Sequence, residues 1–240
     1  MTITSPHNEH LKEIRKLNQR RRERQRAGRF VAEGEDLLAA ADAAGWQALE
    51  RYCAAGSGLV GTEVEPPLLA AVSELGSGTR TLAVYAERWA PAPAGPLCVY
   101  LHGVHDPGNV GTILRSAEAF GAASVAIGPG TADPFGPKAV RASMGAIFTI
   151  PVARTQTGGG AGLPALPGRT VALAAEAAAP LRDLRLAGEV TLLIGAERTG
   201  LPEEILAAAD DVARIPIASH SLNAAMAATV ALYEASRMAR

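Results

Sequence analysis

Two rhythms of apolar and polar positions alternate along the chain. In residues 7–26, Leu11, Ile14 and Leu17 recur at helical spacing, Lys and Arg crowd the other positions, and Gly28 follows. That pattern predicts one helix with a narrow apolar stripe. Residues 29–90 read as a small α/β unit. Helices are expected over 33–44 and 66–75, each followed by a glycine, and strands over 48–54 and 80–87. A proline-rich run, APAPAGP at 90–96, is the expected domain boundary.

Beyond it, short apolar strands alternate with helices. Strands are expected over 97–102, 124–127, 147–151, 171–175, 190–194 and 213–217. Helices are expected over 109–120, 137–145, 202–208 and 221–238, and the glycine-rich run 157–168 reads as a loop. Continuously apolar strands between helices predict a parallel sheet covered on both faces. The expected organisation is a basic helical arm over 1–28, an α/β domain over 29–90 and a larger α/β domain over 97–240.

Composition removes several alternatives. The chain has 240 residues, 48% of them hydrophobic, enough to build a core without staples. Its two cysteines, Cys53 and Cys98, exclude a disulfide framework and a Cys-rich zinc site, and suit a reducing compartment. No His, Asp and Glu cluster has metal-ligand spacing, so no metal is expected. No apolar run approaches the roughly 18 residues of a membrane span, and the first residues are too polar for a signal peptide. A cytoplasmic protein without membrane association is expected. The net charge of −1 hides an asymmetry. Residues 1–29 carry 9 Lys and Arg against 3 Asp and Glu, a net of +6, which leaves −7 for the rest. Clustered guanidinium groups suit phosphate contacts, so the basic segment reads either as a phosphate-contacting arm or as a solvated surface helix.

On such a sheet, ligands bind in the loops after the strands. The first such loop runs through Asp106-Pro107-Gly108-Asn109 into a helix that carries Arg115. Its glycines allow close backbone approach, but neither a dinucleotide fingerprint nor a phosphate-binding P-loop is present. In the second, a buried strand ends at Gly195 and Glu197 enters a glycine-containing loop. In the third, Ile215-Pro216 leads through a tight polar loop to Ser221, Leu222 and Asn223. Ser221 reads as the helix N-cap, whereas Asn223 has no evident capping task. His102, His105 and His220 read as loop histidines. Leu222, Met226, Val230 and Tyr233 form an apolar stripe suited to a core or subunit interface.

Together and in this order, DPGNVGTILRSA, IGAERTGLP and IPI…SLN resemble the three motifs of the SpoU/TrmH branch of the SPOUT methyltransferases. VRASMGA at 140–146 resembles a further family segment, and FVAEGEDLL at 30–38 an L30e-like RNA-binding domain. The resemblance implies a trefoil-knotted α/β methyltransferase domain and a homodimer. It implies transfer of a methyl group from S-adenosyl-L-methionine to a ribose 2′-hydroxyl in RNA, in 23S rRNA rather than tRNA. It assigns Gly195, Ile215 and Leu222 to cofactor binding, and Asn109, Arg115, Glu197, Ser221 and Asn223 to the polar active-site set. The transfer is expected to be an in-line displacement in which orientation supplies most of the rate. Arg115 matches the arginine proposed to act on the 2′-hydroxyl. A guanidinium with a pKa above about 12 is a poor base, so it is better suited to positioning and charge stabilisation. Between Pro216 and Ser221 the third loop holds four residues, fewer than in many family members. The alternative reading is a non-catalytic RNA-binding or ribosome-assembly factor on the same scaffold. A nucleotide-dependent oxidoreductase would rest on Gly128-Pro129-Gly130 alone.

Overall fold

The computed structural model describes residues 2–75, 78–155, 162–218 and 221–238. In chain order the elements begin with α1 (Glu9–Gln19), α2 (Arg21–Ala27), β1 (Arg29–Glu33), α3 (Glu35–Ala43), β2 (Glu50–Ala54), β3 (Thr62–Val64), α4 (Pro66–Val72) and β4 (Thr81–Ala86). There follow β5 (Leu97–Leu101), α5 (Pro107–Ala119), β6 (Ser124–Ile127), α6 (Pro137–Ser143), β7 (Val152–Arg154) and β8 (Arg169–Leu173). The last are β9 (Ala179–Pro180), β10 (Val190–Ile194), α7 (Glu203–Ala208), β11 (Asp211–Arg214) and α8 (Ala224–Met238). Contacts divide the chain into two units, residues 1–88 with 133–148, and residues 89–132 with 149–240. The segment 133–148, which the sequence pattern puts inside the larger domain, therefore packs with the first unit.

The first unit has a four-stranded sheet in the order β1-β4-β2-β3. β4 runs antiparallel to both neighbours, and β2 runs parallel to β3. Three residues are too few to show an alternation, so β3 is invisible in the sequence pattern. The helix expected over 7–26 is broken at Arg20, whose φ of −129° and ψ of 110° are extended. The break has a polar cause. Arg24 turns inward, and one terminal nitrogen donates to the carbonyls of Leu17 at 2.6 Å and Asn18 at 3.3 Å at the end of α1. Its Nε and other terminal nitrogen reach Asp133 at 2.9 Å. Asn18, also buried, donates to Glu33 and to the Val72 carbonyl, both at 2.8 Å. Leu11, Ile14 and Leu17 lie in one core with Val31, Val64, Leu69 and Leu82. Each such burial stabilises by about 2 kcal/mol, so α1 is part of this unit's core rather than a free arm.

Ile147 and Phe148 were expected in a strand over 147–151. They are buried instead, and Ala146–Phe148 is a 3-10 turn. Phe148 stacks among Phe30, Trp46 and Tyr85, and its carbonyl accepts from Trp46 Nε1 at 2.7 Å. The strand comes later, as β7.

The second unit is a seven-stranded sheet in the order β7-β6-β5-β10-β8-β11-β9, parallel throughout. β5, β6 and β10 are buried at every position, which matches their continuous apolar runs. β11 ends at Arg214, short of the strand expected over 213–217, because Pro216 has no N–H for a ladder. Part of the glycine-rich loop expected over 157–168 lies outside the described residues, as do Ser219 and His220. No helix among the described residues is long and apolar enough to cross a membrane.

Candidate active site

From β5 the sheet grows one way through β6 and β7 and the other way through β10, β8 and β11. The carboxyl ends of β5 and β10 therefore flank a topological switch point, where such sheets bind ligands. Asp106 caps α5 by accepting from Gly108 N at 2.6 Å, and Pro107 opens the helix. That fixes Asn109 in the first turn.

Beyond β10, residues 195–200 double back on themselves. Ala196 and Gly200 exchange backbone hydrogen bonds of 3.1 and 2.9 Å. A Cβ on Gly195 would lie 2.3 Å from the carbonyl carbon of Gly200, so only glycine permits this fold-back. It presents Glu197 to Asn109, whose Nδ2 donates to Glu197 Oε1 at 2.7 Å.

Asn223 completes the chain of bonds by donating from Nδ2 to Asn109 Oδ1 at 3.1 Å. Its own Oδ1 accepts from Ala225 N at 2.9 Å and Met226 N at 3.3 Å. Asn223 is thus the cap of α8, the role the sequence reading gave to Ser221, and the helix starts at Ala224 rather than at 221. One side chain both starts the helix and ties it to the other two loops.

Burial pushes the Glu197 carboxyl up. The Asn109 amide and the backbone N–H groups of Glu197, Asp106 and His105 outweigh it and hold the group below the ordinary carboxylate range. Glu197 is therefore an anion that anchors, not an acid.

Beside this cluster lies a cavity of about 270 Å³. Gly195, Ile215 and Leu222 all line it, together with Glu197 and Ser221. Leu173, Ala174 and Ile194 add an apolar wall that the motifs do not reveal. Only the position of β8 between β10 and β11 brings Leu173 and Ala174 there. Arg115 is exposed on α5. At about 100° per residue it sits a third of a turn round from Asn109, and it makes none of the cluster's hydrogen bonds. Of the five polar residues expected together, Asn109, Glu197 and Asn223 are joined, Ser221 lines the cavity, and Arg115 stands apart.

His102 contacts the Tyr100 hydroxyl at 3.1 Å, and burial lowers its pKa against a smaller upward pull from Glu204. Gly128 is explained by packing, since a Cβ there would lie 2.5 Å from the Tyr100 hydroxyl.

Residues 96–233 match the SpoU rRNA Methylase family. The chain belongs to that family. Residues 8–83 match the MRM3-like substrate binding domain. That match includes α1 and α2, which the sequence pattern sets apart as an arm ahead of the α/β domain. A SpoU relative, the Bacillus subtilis 23S rRNA (guanosine(2553)-2′-O)-methyltransferase RlmP, is 28% identical over 96% of this chain and 97% of its own. The AdoMet-bound rRNA methyltransferase from Sinorhizobium meliloti superimposes with a TM-score of 0.85 and 31% identity, over 99% of this chain and 97% of that one. The SpoU methyltransferase AviRb from Streptomyces viridochromogenes, in complex with AdoMet, gives 0.84 and 28%, over 98% and 100%.

Proposed function

We propose that the protein transfers a methyl group from S-adenosyl-L-methionine to a ribose 2′-hydroxyl of rRNA, in 23S rRNA rather than tRNA. It works in the cytoplasm as a homodimer. The observation that carries this reading is the Glu197–Asn109–Asn223 chain of hydrogen bonds beside the cavity. Three loops from three strand ends are tied together there. A protein that only bound RNA would have no use for it.

The cavity suits the cofactor. Its wall of Leu173, Ile194, Ile215 and Leu222 accepts an apolar ring face, and Glu197 and Ser221 supply polar groups at one side. Bound there, S-adenosyl-L-methionine supplies an electrophilic methyl group. Gly195 keeps the backbone close to the cavity, and Asn109 and Asn223 hold the geometry of the ribose site. Arg115, unengaged within the cluster, is free to take an RNA phosphate and stabilise negative charge developing on the 2′-oxygen.

The AdoMet-bound relatives of the same fold support the cofactor assignment, and the curated relative's 23S rRNA activity supports the substrate. The exposed stripe of Met226, Val230 and Tyr233 on α8 supports the dimer. Threading of α8 in a trefoil knot belongs to the same reading, as does division into an RNA-binding domain near 29–90 and a methyltransferase domain over 97–240.

The test is incubation with methyl-labelled S-adenosyl-L-methionine and ribosomal RNA, followed by mapping of the modified nucleotide. Labelled 23S rRNA is expected. Cofactor binding with no label in rRNA or tRNA overturns the reading. Arg115→Ala is expected to abolish transfer and keep cofactor affinity.

A further inference from the structure

Two family-like segments, 30–38 and 140–146, take no part in the hydrogen-bonded cluster. Within the first unit they meet around a second cavity of about 510 Å³. Gly34 to Leu37 form one side, Gly78 to Arg80 another, and Arg141 and Met144 at the end of α6 a third. Gly145 makes the meeting possible. Its φ is +101°, and a Cβ there would sit 2.7 Å from the Ala40 side chain on α3.

Met144 closes α6 with φ 50° and ψ 36°, the only non-glycine residue at positive φ among the described residues. Glycine is the usual occupant of such a cap, and a long side chain is strained there. The Met144 side chain does not repay that strain in the core, because it is 54% exposed. Leu75, 44% exposed, is a second large apolar group on the same cavity.

The charges are sorted as well. Glu35 is paired with Arg80 at 2.9 Å. Glu33 accepts from Asn18, Ser73 and the backbone of Glu74 and Leu75. Asp36 and Arg141 are exposed, and among the described residues neither has an ion-pair partner. One free cation, one free carboxylate and a soft apolar wall match one nucleotide. The phosphate meets the guanidinium, the base face packs on thioether and leucine, and N–H donors on the base edge meet the carboxylate.

We propose that this cavity holds one unstacked nucleotide of the RNA substrate, with its phosphate on Arg141 and its base against Met144 and Leu75. The inference rests on the RNA-methyltransferase reading and adds a recognition site to it.

The full-length protein is assayed on an rRNA fragment that the wild type methylates. Arg141→Ala, which loses one charge-assisted contact, and Met144→Gly, which loses the apolar contact with the base face, are each expected to raise KM for RNA about tenfold. Saturated kcat and S-adenosyl-L-methionine affinity stay unchanged. Met144→Gly relieves the strained cap, so its melting temperature should not fall; a purely structural role would lower it and leave KM alone. RNA carrying 4-thiouridine or 6-thioguanosine should crosslink to peptides containing Leu75 or Met144. Wild-type KM in both variants overturns the proposal while the functional reading stands. If the wild type binds the cofactor yet methylates no RNA, the functional reading fails. RNA affinity by fluorescence anisotropy then decides the cavity alone, and affinity unchanged in Arg141→Ala overturns it.

Discussion

The Asn109 amide donates to Glu197 at 2.7 Å and accepts from Asn223 at 3.1 Å, so a single side chain joins the loops after β5, β10 and β11. A carboxylate in its place would face Glu197 with no proton to share. Asn109→Asp is therefore expected to break the chain and lower single-turnover methyl transfer by about tenfold to a hundredfold, the worth of one hydrogen bond to a charged group. Asn109→Ala loses the bond without adding repulsion and should lose less. Equal transfer in Asn109→Asp and wild type would show that the bridge has no part in the reaction.

Glu197 sets a pH dependence whose sign follows from its partners. Its folded-state pKa is depressed, so it contributes to the closed cluster above the ordinary carboxylate range, and the contribution is lost as pH falls through the depressed value. The acid limb of the kcat profile is expected below the ordinary carboxylate pKa. Removing Asn109 deletes one of the hydrogen bonds that hold the value down and leaves the upward push of burial. The limb should then move to higher pH in Asn109→Ala. A limb at the same pH in both proteins would sink this assignment.

Gly195 has no room for a methyl group, because the obstruction is backbone: the Gly200 carbonyl carbon at 2.3 Å and Leu201 N at 2.4 Å. The fold-back must open if alanine is placed there. Gly195→Ala should cost about 1–3 kcal/mol of stability and, by shifting a wall of the cavity, abolish S-adenosyl-L-methionine binding in calorimetry. Wild-type affinity in that variant would place the cofactor elsewhere.

Much of the second unit was legible because its strands are buried on both faces, which writes continuous apolar runs into the chain. β6 and β10 span the expected residues. The failures have physical causes. Ile147 and Phe148 are apolar and bulky enough to read as a strand, but both are buried in the other unit, where Phe148 packs among aromatic rings. Arg24 reads as one more surface cation, since nothing local shows that Asp133, over a hundred residues on, meets it. Gly195, Ile215 and Leu222 were legible as a set only through motif resemblance. Their walls Leu173 and Ala174 carry no motif, because sheet order alone brings them to the cavity.

Arg24 and Asp133 form a buried pair, their side chains 7% and 8% exposed. Removing one partner leaves the other charge without compensation. Arg24→Met or Asp133→Leu alone should each cost about 3–5 kcal/mol in chemical denaturation. The double substitution should cost much less than the sum, since the desolvation penalty disappears with both charges. Additive losses would mean that the two side chains act independently.

The remaining cations of α1 and α2 are arranged differently from Arg24. Lys16, Arg20 and Arg22 are exposed, and they lie within the segment that matches a substrate binding domain. If they contact RNA phosphates, each should release condensed counterions on binding. Replacing all three with alanine is expected to flatten the slope of log affinity against log salt by about 2, at roughly 0.7 per phosphate contact on single strands. S-adenosyl-L-methionine affinity should not change. The same measurement on Arg24→Met separates the roles, because a buried cation contacts no phosphate and should leave the slope as it is in protein that remains folded. An unchanged slope in the triple variant would move the RNA contact away from these helices.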